Sequence, residues 1–364
     1  MSGYQARILK DWGEVENLAV EWDLLRDGQP SASPFMRWAW QSSWWRAYGS
    51  GKQPWVIEVR DGQGLAALAP FFRSKEYGMS VLRPIGWRRF DDFDFLLRAG
   101  AEGAIEALGT ALRKDGSWAA IELLPWSGSE HTLSEFLAGL GSSMLKASRV
   151  YENCPAIIIE GRWEDYLAKK KSSFRKWTRK LERVALEGEM TSVEVVAGSD
   201  LNRNHILELL DLEKRSAHWE AGTAHFADDR FVDLLHELLE FPDHGLEARL
   251  LRSGERLIAA EILIDADNSL LGLWTTFDQE RRLTGNFILM DALRSGFDRG
   301  RRVFDFLQGD ESYKLKWSNS MRSVEQVVLC RLRPTAAVFW LLSRLRWGIA
   351  NSSRLRSLAE RYRP

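Results

Sequence analysis

The stretch from Asp278 to Trp317, DQERRLTGNFILMDALRSGFDRGRRVFDFLQGDESYKLKW, gathers the residues whose types and spacing suit chemistry. Residues 270–277 read as a strand. Arg281 and Arg282 follow, then Thr284-Gly285-Asn286, and a helix begins at once and stops near Gly300. The first N–H groups of a helix lack partners within it, the helix dipole is positive at that end, and a glycine permits close approach. An anion suits such a place, and a pyrophosphate is a natural guest. The plainer alternative is a loop-to-helix junction capped by Thr284 or Asn286.

Other motifs carry less. Gly49-Ser-Gly-Lys52 lacks the earlier glycine of a phosphate loop, since position 46 is Arg, and Gln53 replaces the Ser or Thr that would hold magnesium. Asp91, Asp92 and Asp94 in RRFDDFDFLL suit a divalent cation in type, yet acids at a strand start are common. Five of the six His lie between His205 and His244, at spacings that match neither HExxH nor a zinc finger. No GxSxG elbow occurs. Cys154 and Cys330, the only cysteines, cannot form a disulfide framework or a cysteine zinc site within one chain. No metal is expected.

Elements must hold these residues in place. Residues 33–48, with Ser33 as cap and Pro34 at the first helical position, predict one early helix. WVIEVR, DGQG and LAALAPFF predict a hairpin, followed by a helix over 101–114, a stop at Gly116 and a buried strand over 118–125. The same order returns later. Strands over 246–251 and 256–264 flank the turn RSGE; a strand over 270–277, a helix from about 286 to 299, Gly300 and a strand over 302–309 follow. Hairpin, strand, helix, strand occurring twice predicts a tandem duplication. Between the copies, residues 166–188 read as one long polar helix ending at Gly188, and residues 204–241 as a second helical region.

The 364 residues suit two domains or one large one, and 50 Lys plus Arg against 51 Asp plus Glu exclude a surface built throughout for nucleic acid. Charge is nevertheless segregated. Nine Lys or Arg fall between Arg162 and Arg183, and the tail from Arg331 holds eight Arg against one acid, Glu360. The tail sets Val338, Phe339, Leu342, Leu345 and Ile349 on one face beside Arg344 and Arg346. That pattern fits a packed helix or peripheral contact with an anionic membrane. No leader-like or membrane-spanning apolar run is present, so a soluble cytoplasmic protein is expected.

Taken in order, SPFMRWAWQSSWW, RPIGWRRFDDFDFLL, YLAKKKSSFRKWTRKLERVALEG, LLDLEKRSAHW, RLIAAEILI, RRLTGNFILMDALRSGFDRGRRVFDFLQG and ESYKLKW resemble the CelD-like branch of the GNAT acyltransferases. That branch shares a tandem architecture with the Fem-type peptidyl transferases. The resemblance implies an α/β (mixed α+β) fold of two tandem GNAT-like domains, each a mixed central sheet flanked by helices. Residues 1–160 would shape an acceptor groove without catalysis, residues 161–333 would bind acyl-CoA and catalyse, and 334–364 would form a basic amphipathic tail.

The resemblance also implies roles. Arg281, Arg282, Thr284, Gly285 and Asn286 would hold the pyrophosphate of acyl-CoA, with acetyl-CoA the expected donor and no metal. Arg282-x-x-Gly285 keeps the first part of the family pattern Arg-x-x-Gly-x-Gly/Ala, while Phe287 stands at its last position. Asp305 and Asp310 are candidate bases and Tyr313 a candidate acid. Lys314 would hold a phosphate, a carboxylate or a sugar oxygen, and Trp219 and Asp92 are further candidate substrate contacts. The implied reaction is acyl transfer to an amine of a sugar, peptide or lipid intermediate of exopolysaccharide or cell-envelope synthesis. Two alternatives are a Fem-type aminoacyl transferase and a non-catalytic binding protein of the same fold. Residues 162–188 are short for a tRNA-binding arm, so tRNA is disfavoured, and DNA is not expected.

Overall fold

The computed structural model describes residues 3–186, 191–281, 283–333, 336, 337 and 339–344. In chain order the strands are β1 (Gln5–Leu9), β2 (Gln53–Asp61), β3 (Gly64–Glu76), β4 (Met79–Pro84), β5 (Leu96–Leu97), β6 (Ala120–Trp126), β7 (Met144–Ile158), β8 (Thr191–Ala197), β9 (Leu246–Ser253), β10 (Arg256–Ala266), β11 (Ser269–Phe277), β12 (Val303–Asp305) and β13 (Ser320–Arg331). The helices are α1 (Trp12–Glu16), α2 (Ala19–Asp27), α3 (Trp38–Tyr48), α4 (Gly103–Asp115), α5 (Glu130–Leu140), α6 (Trp163–Lys169), α7 (Ser172–Leu186), α8 (Arg203–Glu213), α9 (Ala217–Glu220), α10 (Asp229–Leu238), α11 (Thr284–Asp298) and α12 (Ser312–Trp317).

The chain divides into two compact units that are not consecutive segments. One comprises Met1–Gln41, Gly49–Tyr151 and Val324–Pro364; the other comprises Ser42–Tyr48 and Glu152–Ser323. In the first, strands run β1-β2-β3-β4-β6-β13, with β4 and β6 parallel, the other pairs antiparallel, and β5 beside β3. In the second, the order is β7-β12-β11-β10-β9-β8, with only β11 and β12 parallel. The expected repeat is thus present as topology. In each copy two antiparallel hairpin steps lead to a third strand, and a helix returns the chain to pair in parallel with that strand. Within each unit the strand order is then completed by an antiparallel strand from the end of the other copy: residues 324–331 in the first unit, 152–158 in the second.

Local chemistry explains the element ends. Gly116 and Gly300 take left-handed φ of 66° and 63° at the helix stops, a region that costs glycine little. The early helix starts later than Ser33 suggests. Residues 34–36 form only a short 3-10 turn, Arg37 is extended, and α3 begins at Trp38, whose N–H donates to Asp23 Oδ1 at 2.9 Å. The polar linker is two helices, broken where Lys170 is extended; its expected end at Gly188 lies outside the described residues. The last predicted strand is only β12, because the backbone turns at Leu307 with φ 57°.

The first unit's core centres on Phe71, Phe93, Phe95, Trp126 and Phe136, whose rings touch in tilted and edge-on pairs. The start of the basic tail joins this unit, with Ala336 and Phe339 packed against Val81, Ala120, Val328 and Cys330. Val338, Leu345 and Ile349 lie outside the described residues. Among the described residues no helix is long and apolar enough to cross a membrane.

Backbone meets backbone between α4 and α5. A methyl group on Gly139 would stand 2.0 Å from the Glu106 carbonyl oxygen, and one on Gly109 2.2 Å from that of Phe136. Gly139→Ala should therefore destabilise the protein by ~1–3 kcal/mol. Gly62→Ala, with open space around it, should change it by less than ~0.5 kcal/mol. Urea denaturation checks both, and equal midpoints would remove this contact from the fold.

Candidate active site in the second unit

Parallel pairing between β11 and β12 lasts three residue pairs, ending at Leu271 and Asp305. Beyond it β11 continues alone on that side to Phe277, and the chain after β12 folds away into α12. On its other edge β11 carries an irregularity: Trp274 stands opposite Ile262 but Gly272 opposite Leu263, leaving Leu273 as an extra residue. Such bulges bend a strand and re-aim its groups, and they gather at active sites.

Across this region runs a row of directly opposed polar residues, Arg249 on β9, Glu261 on β10 and Thr275 on β11. Glu261 is 1% exposed. Thr275 Oγ1 donates to its Oε2 at 2.5 Å. Gly272 leaves room beside it, since a methyl group there would meet Glu261 Oε1 at 3.3 Å. Burial pushes the Glu261 carboxyl up to about 7, against the Thr275 hydrogen bond and the fields of Lys314 and Arg249. Tyr313, on α12, lies near Thr275, and burial together with the charges of Glu261 and Glu311 raises its phenol against the pull of the Thr275 hydroxyl. The site thus brings Glu261, Thr275 and Tyr313 together in series.

Glu261 was not singled out in the sequence, although an acid within RLIAAEILI is a visible signal. Tyr313, the expected acid, stands on α12 with its phenol buried. Lys314 is buried rather than on the surface, and its Nζ donates to the Gln308 carbonyl at 2.6 Å and pairs with Glu311 at 3.1 Å. Asp305 is bound on both oxygens: Arg322 Nε donates to Oδ2 at 2.6 Å, and the Leu307 N–H to Oδ1 at 2.8 Å. Its carboxylate shapes the turn after β12. Asp310 is exposed and accepts from Asn153 Nδ2 at 3.1 Å.

The loop before α11 is organised by a second residue that sequence reasoning missed. Asp278, 2% exposed, accepts from Arg215 Nη1 and Arg256 Nη2, each at 2.7 Å, and from the Glu280 N–H at 3.1 Å. Burial alone would raise this carboxyl, but those donors hold it below its ordinary value. Arg281 is exposed in that loop, and Arg282 lies outside the described residues. Helix α11 starts at Thr284, two residues earlier than expected, and the Thr284 hydroxyl donates to the Arg281 carbonyl at 2.7 Å. Asn286 is half-buried in its first turn. The absent side chain of Gly285 makes way for the Phe277 ring, 2.3 Å from where a methyl group would sit, so packing already requires this glycine. Trp219 is half-buried in α9, and its neighbour Glu220 accepts from Gln279 Nε2 at 2.6 Å, which ties α9 to the same loop. Asp92 belongs to the first unit and is buried there.

Helix α12, which presents Tyr313 and Lys314, is fastened at its far end. Lys170 Nζ donates to the carbonyls of Lys316, Trp317 and Ser318 at 3.0, 2.8 and 3.2 Å, and the Tyr166 hydroxyl donates to Trp317 O as well. A cation at a helix C-terminus satisfies its last carbonyls and its dipole. One lysine of the basic linker is therefore a structural clamp.

Residues 172–315 match the family model described as the acetyltransferase (GNAT) domain. The second unit carries a GNAT-type domain. Three solved structures share the fold of nearly the whole chain. FemX is 12% identical, with 93% of this chain and 99% of FemX covered at a TM-score of 0.61. The C-terminal domain of an Agrobacterium fabrum protein assigned as a lysylphosphatidylglycerol synthetase is 12% identical over 91% of this chain and 95% of that one, at 0.56. A conserved Bacteroides thetaiotaomicron protein of unknown function is 13% identical over 91% and 100%, at 0.55. A search of curated proteins finds no significant match. At these identities the structures establish the fold, and the GNAT domain's chemistry rests on its own residues. Among the described residues no group of three or more His, Cys, Asp or Glu is placed to hold a metal ion.

The raised carboxyl has a thermodynamic consequence. Folding favours protonated Glu261, so its contribution is fully present below the ordinary value of 4.5 and is lost as pH rises through about 7. Glu261→Gln keeps the shape and lacks the titration. Between pH 4.5 and 7.5 the wild type should lose up to ~3 kcal/mol relative to this variant. Urea denaturation at both pH values checks it, and parallel profiles would mean that Glu261 is charged in the fold.

Proposed function

We propose that the chain is an N-acyltransferase that moves an acyl group, acetyl in the simplest case, from acyl-CoA to an amine. The observation that carries this reading is the open edge of β11 beyond Leu271, with the series Glu261, Thr275 and Tyr313 beside it and the start of α11 following. A strand edge offers backbone N–H groups to a developing oxyanion. The helix start, with the exposed Arg281, suits the donor's phosphates. Phe287 at the last position of the family pattern makes this loop bulkier than a full motif, and Gly285 is occupied with Phe277, so Arg281 and the helix N–H groups carry the anion in this reading.

An ammonium loses one proton to become a nucleophile and a second as the amide forms, while the departing thiolate takes up one and the other reaches solvent. Tyr313 gives the proton to the thiolate and is resupplied through Thr275 from Glu261. A carboxyl near 7 is suited to exchange protons at neutral pH. In this assignment Asp305, held by Arg322, shapes the site, and Asp310 lies at its margin. Lys314 steadies Glu261 and the turn at Gln308.

We take the acceptor to be an amine of a sugar, peptide or lipid intermediate in exopolysaccharide or cell-envelope synthesis, following the sequence resemblance. A second reading, with an aminoacyl-tRNA as donor, draws on the exposed cations Lys176, Arg179, Lys180 and Arg183 of α7 and on the fold shared with FemX. Thermal stabilisation by acetyl-CoA but not by tRNA would favour the first, and the reverse the second. With an amine panel and free-thiol detection, Glu261→Gln and Tyr313→Phe should each lower kcat by ~10²–10³-fold. Asp310→Asn should change it less than ~3-fold, and Arg281→Ala should raise KM for acyl-CoA with little change in kcat. Full activity in both Glu261→Gln and Tyr313→Phe would overturn the assignment.

A further inference from the structure

The first unit repeats the topology of the GNAT domain but treats the corresponding strand junction differently. Parallel pairing of β4 with β6 joins Val81 to Ala120 and Leu82 to Ile121, and is resumed only by the bridge between Phe93 and Trp126. Between those points the chain leaves the sheet as residues 85–92. The next residue on each strand, Arg83 and Glu122, reaches across the junction: Arg83 Nε donates to Glu122 Oε2 at 2.8 Å, with both side chains less than a tenth exposed.

A cleft of about 560 Å³ lies at this junction, and its wall is charged. Arg83 also bonds Glu76 and donates to Ser74 Oγ, so one guanidinium serves both carboxylates of the cleft. Gln326 Nε2 donates to the other oxygen of Glu122 at 2.7 Å, and Arg149 Nε donates to Gln326 Oε1 at 2.9 Å. Each acid is thus answered from within the wall. Among the described lining residues, three guanidinium groups, Arg83, Arg88 and Arg149, stand beside two carboxylates, Glu76 and Glu122, so the described lining carries one more cation than anion. Arg88 is exposed and held over the Trp87 ring at 4.5 Å, on backbone of positive φ. Trp87 keeps a buried indole N–H with no acceptor among the described residues. Leu124 and Phe339 supply apolar wall.

We propose that this cleft is a ligand site of the first unit, for a small molecule that joins an oxyanion, carboxylate or phosphate, to an apolar or ring-shaped body. Guanidinium forks match both oxyanions, and a partly desolvated cationic excess favours an anion over its neutral analogue. The apolar wall sets the rest of the molecule. The first unit braces its strand junction with a buried ion pair, whereas the corresponding strand edge of the GNAT domain is open, so the duplicated fold would carry two binding chemistries.

Isothermal titration of the full chain with phenyl phosphate, benzoate and benzyl alcohol tests the proposal without any acyl donor, and so independently of the acyltransferase reading. At least one anion should bind ten times or more tighter than benzyl alcohol, and the better of the two identifies the oxyanion. Arg88→Gln, on the surface, and Arg149→Gln should each weaken that anion about tenfold and leave benzyl alcohol unchanged. The proposal is overturned if the anions bind no better than benzyl alcohol, if none of the three binds, or if Arg88→Gln and Arg149→Gln both bind like the wild type.

Discussion

Three residue pairs join β11 to β12, and the open strand edge on which the proposed chemistry draws depends on their ending where they do. A longer pairing would seal the edge of β11 with ladder hydrogen bonds and leave none of its N–H groups for the carbonyl of the proposed donor. The stop is enforced by Asp305, whose carboxylate takes the Leu307 N–H and the Arg322 guanidinium and so turns the backbone out of the sheet. The bulge at Leu273 and the space beside Gly272 then let a carboxyl be buried in the row opposite. An ion pair that resembles a surface detail in the sequence thus governs where strand gives way to site.

Much of this architecture was legible. Turn glycines and helix stops mark both copies, and the order hairpin, strand, helix, strand returns in the structure as the same strand topology in each unit. What escaped was tertiary in origin. Nothing near Arg37 announces that Asp23 will take the Trp38 N–H and restart the helix. The linker reads as one continuous helix because its break depends on Lys170 finding carbonyls about 150 residues away in sequence. Glu261 and Asp278 are visible as acids in or beside apolar strands, but their weight comes from the partners opposite them. Asp305 stands out in the sequence as a candidate base, and only the fold brings Arg322 and the Leu307 N–H to its two oxygens.

Charge follows the same lesson. A near-neutral total conceals local specialisation, and proximity in sequence does not predict its use. Within the basic linker one ammonium clamps the end of α12 while neighbours on α7 remain exposed. In the first unit Arg83 answers two acids at once, converting what could have been a second open strand junction into a braced wall.

The exchange of closing strands has a consequence for how the protein comes into being. The strand that completes the first sheet, residues 324–331, contains Val324, Val327, Val328, Leu329 and Cys330, all with 0% exposure. A chain growing from its N-terminus presents the rest of that sheet long before this strand exists, and such distant contacts slow folding and prolong the exposure of apolar edges. The first half therefore matures last. Evolution of either copy is correspondingly tied to the other, because neither can be lost, shuffled or expressed by itself without removing a buried strand from its neighbour.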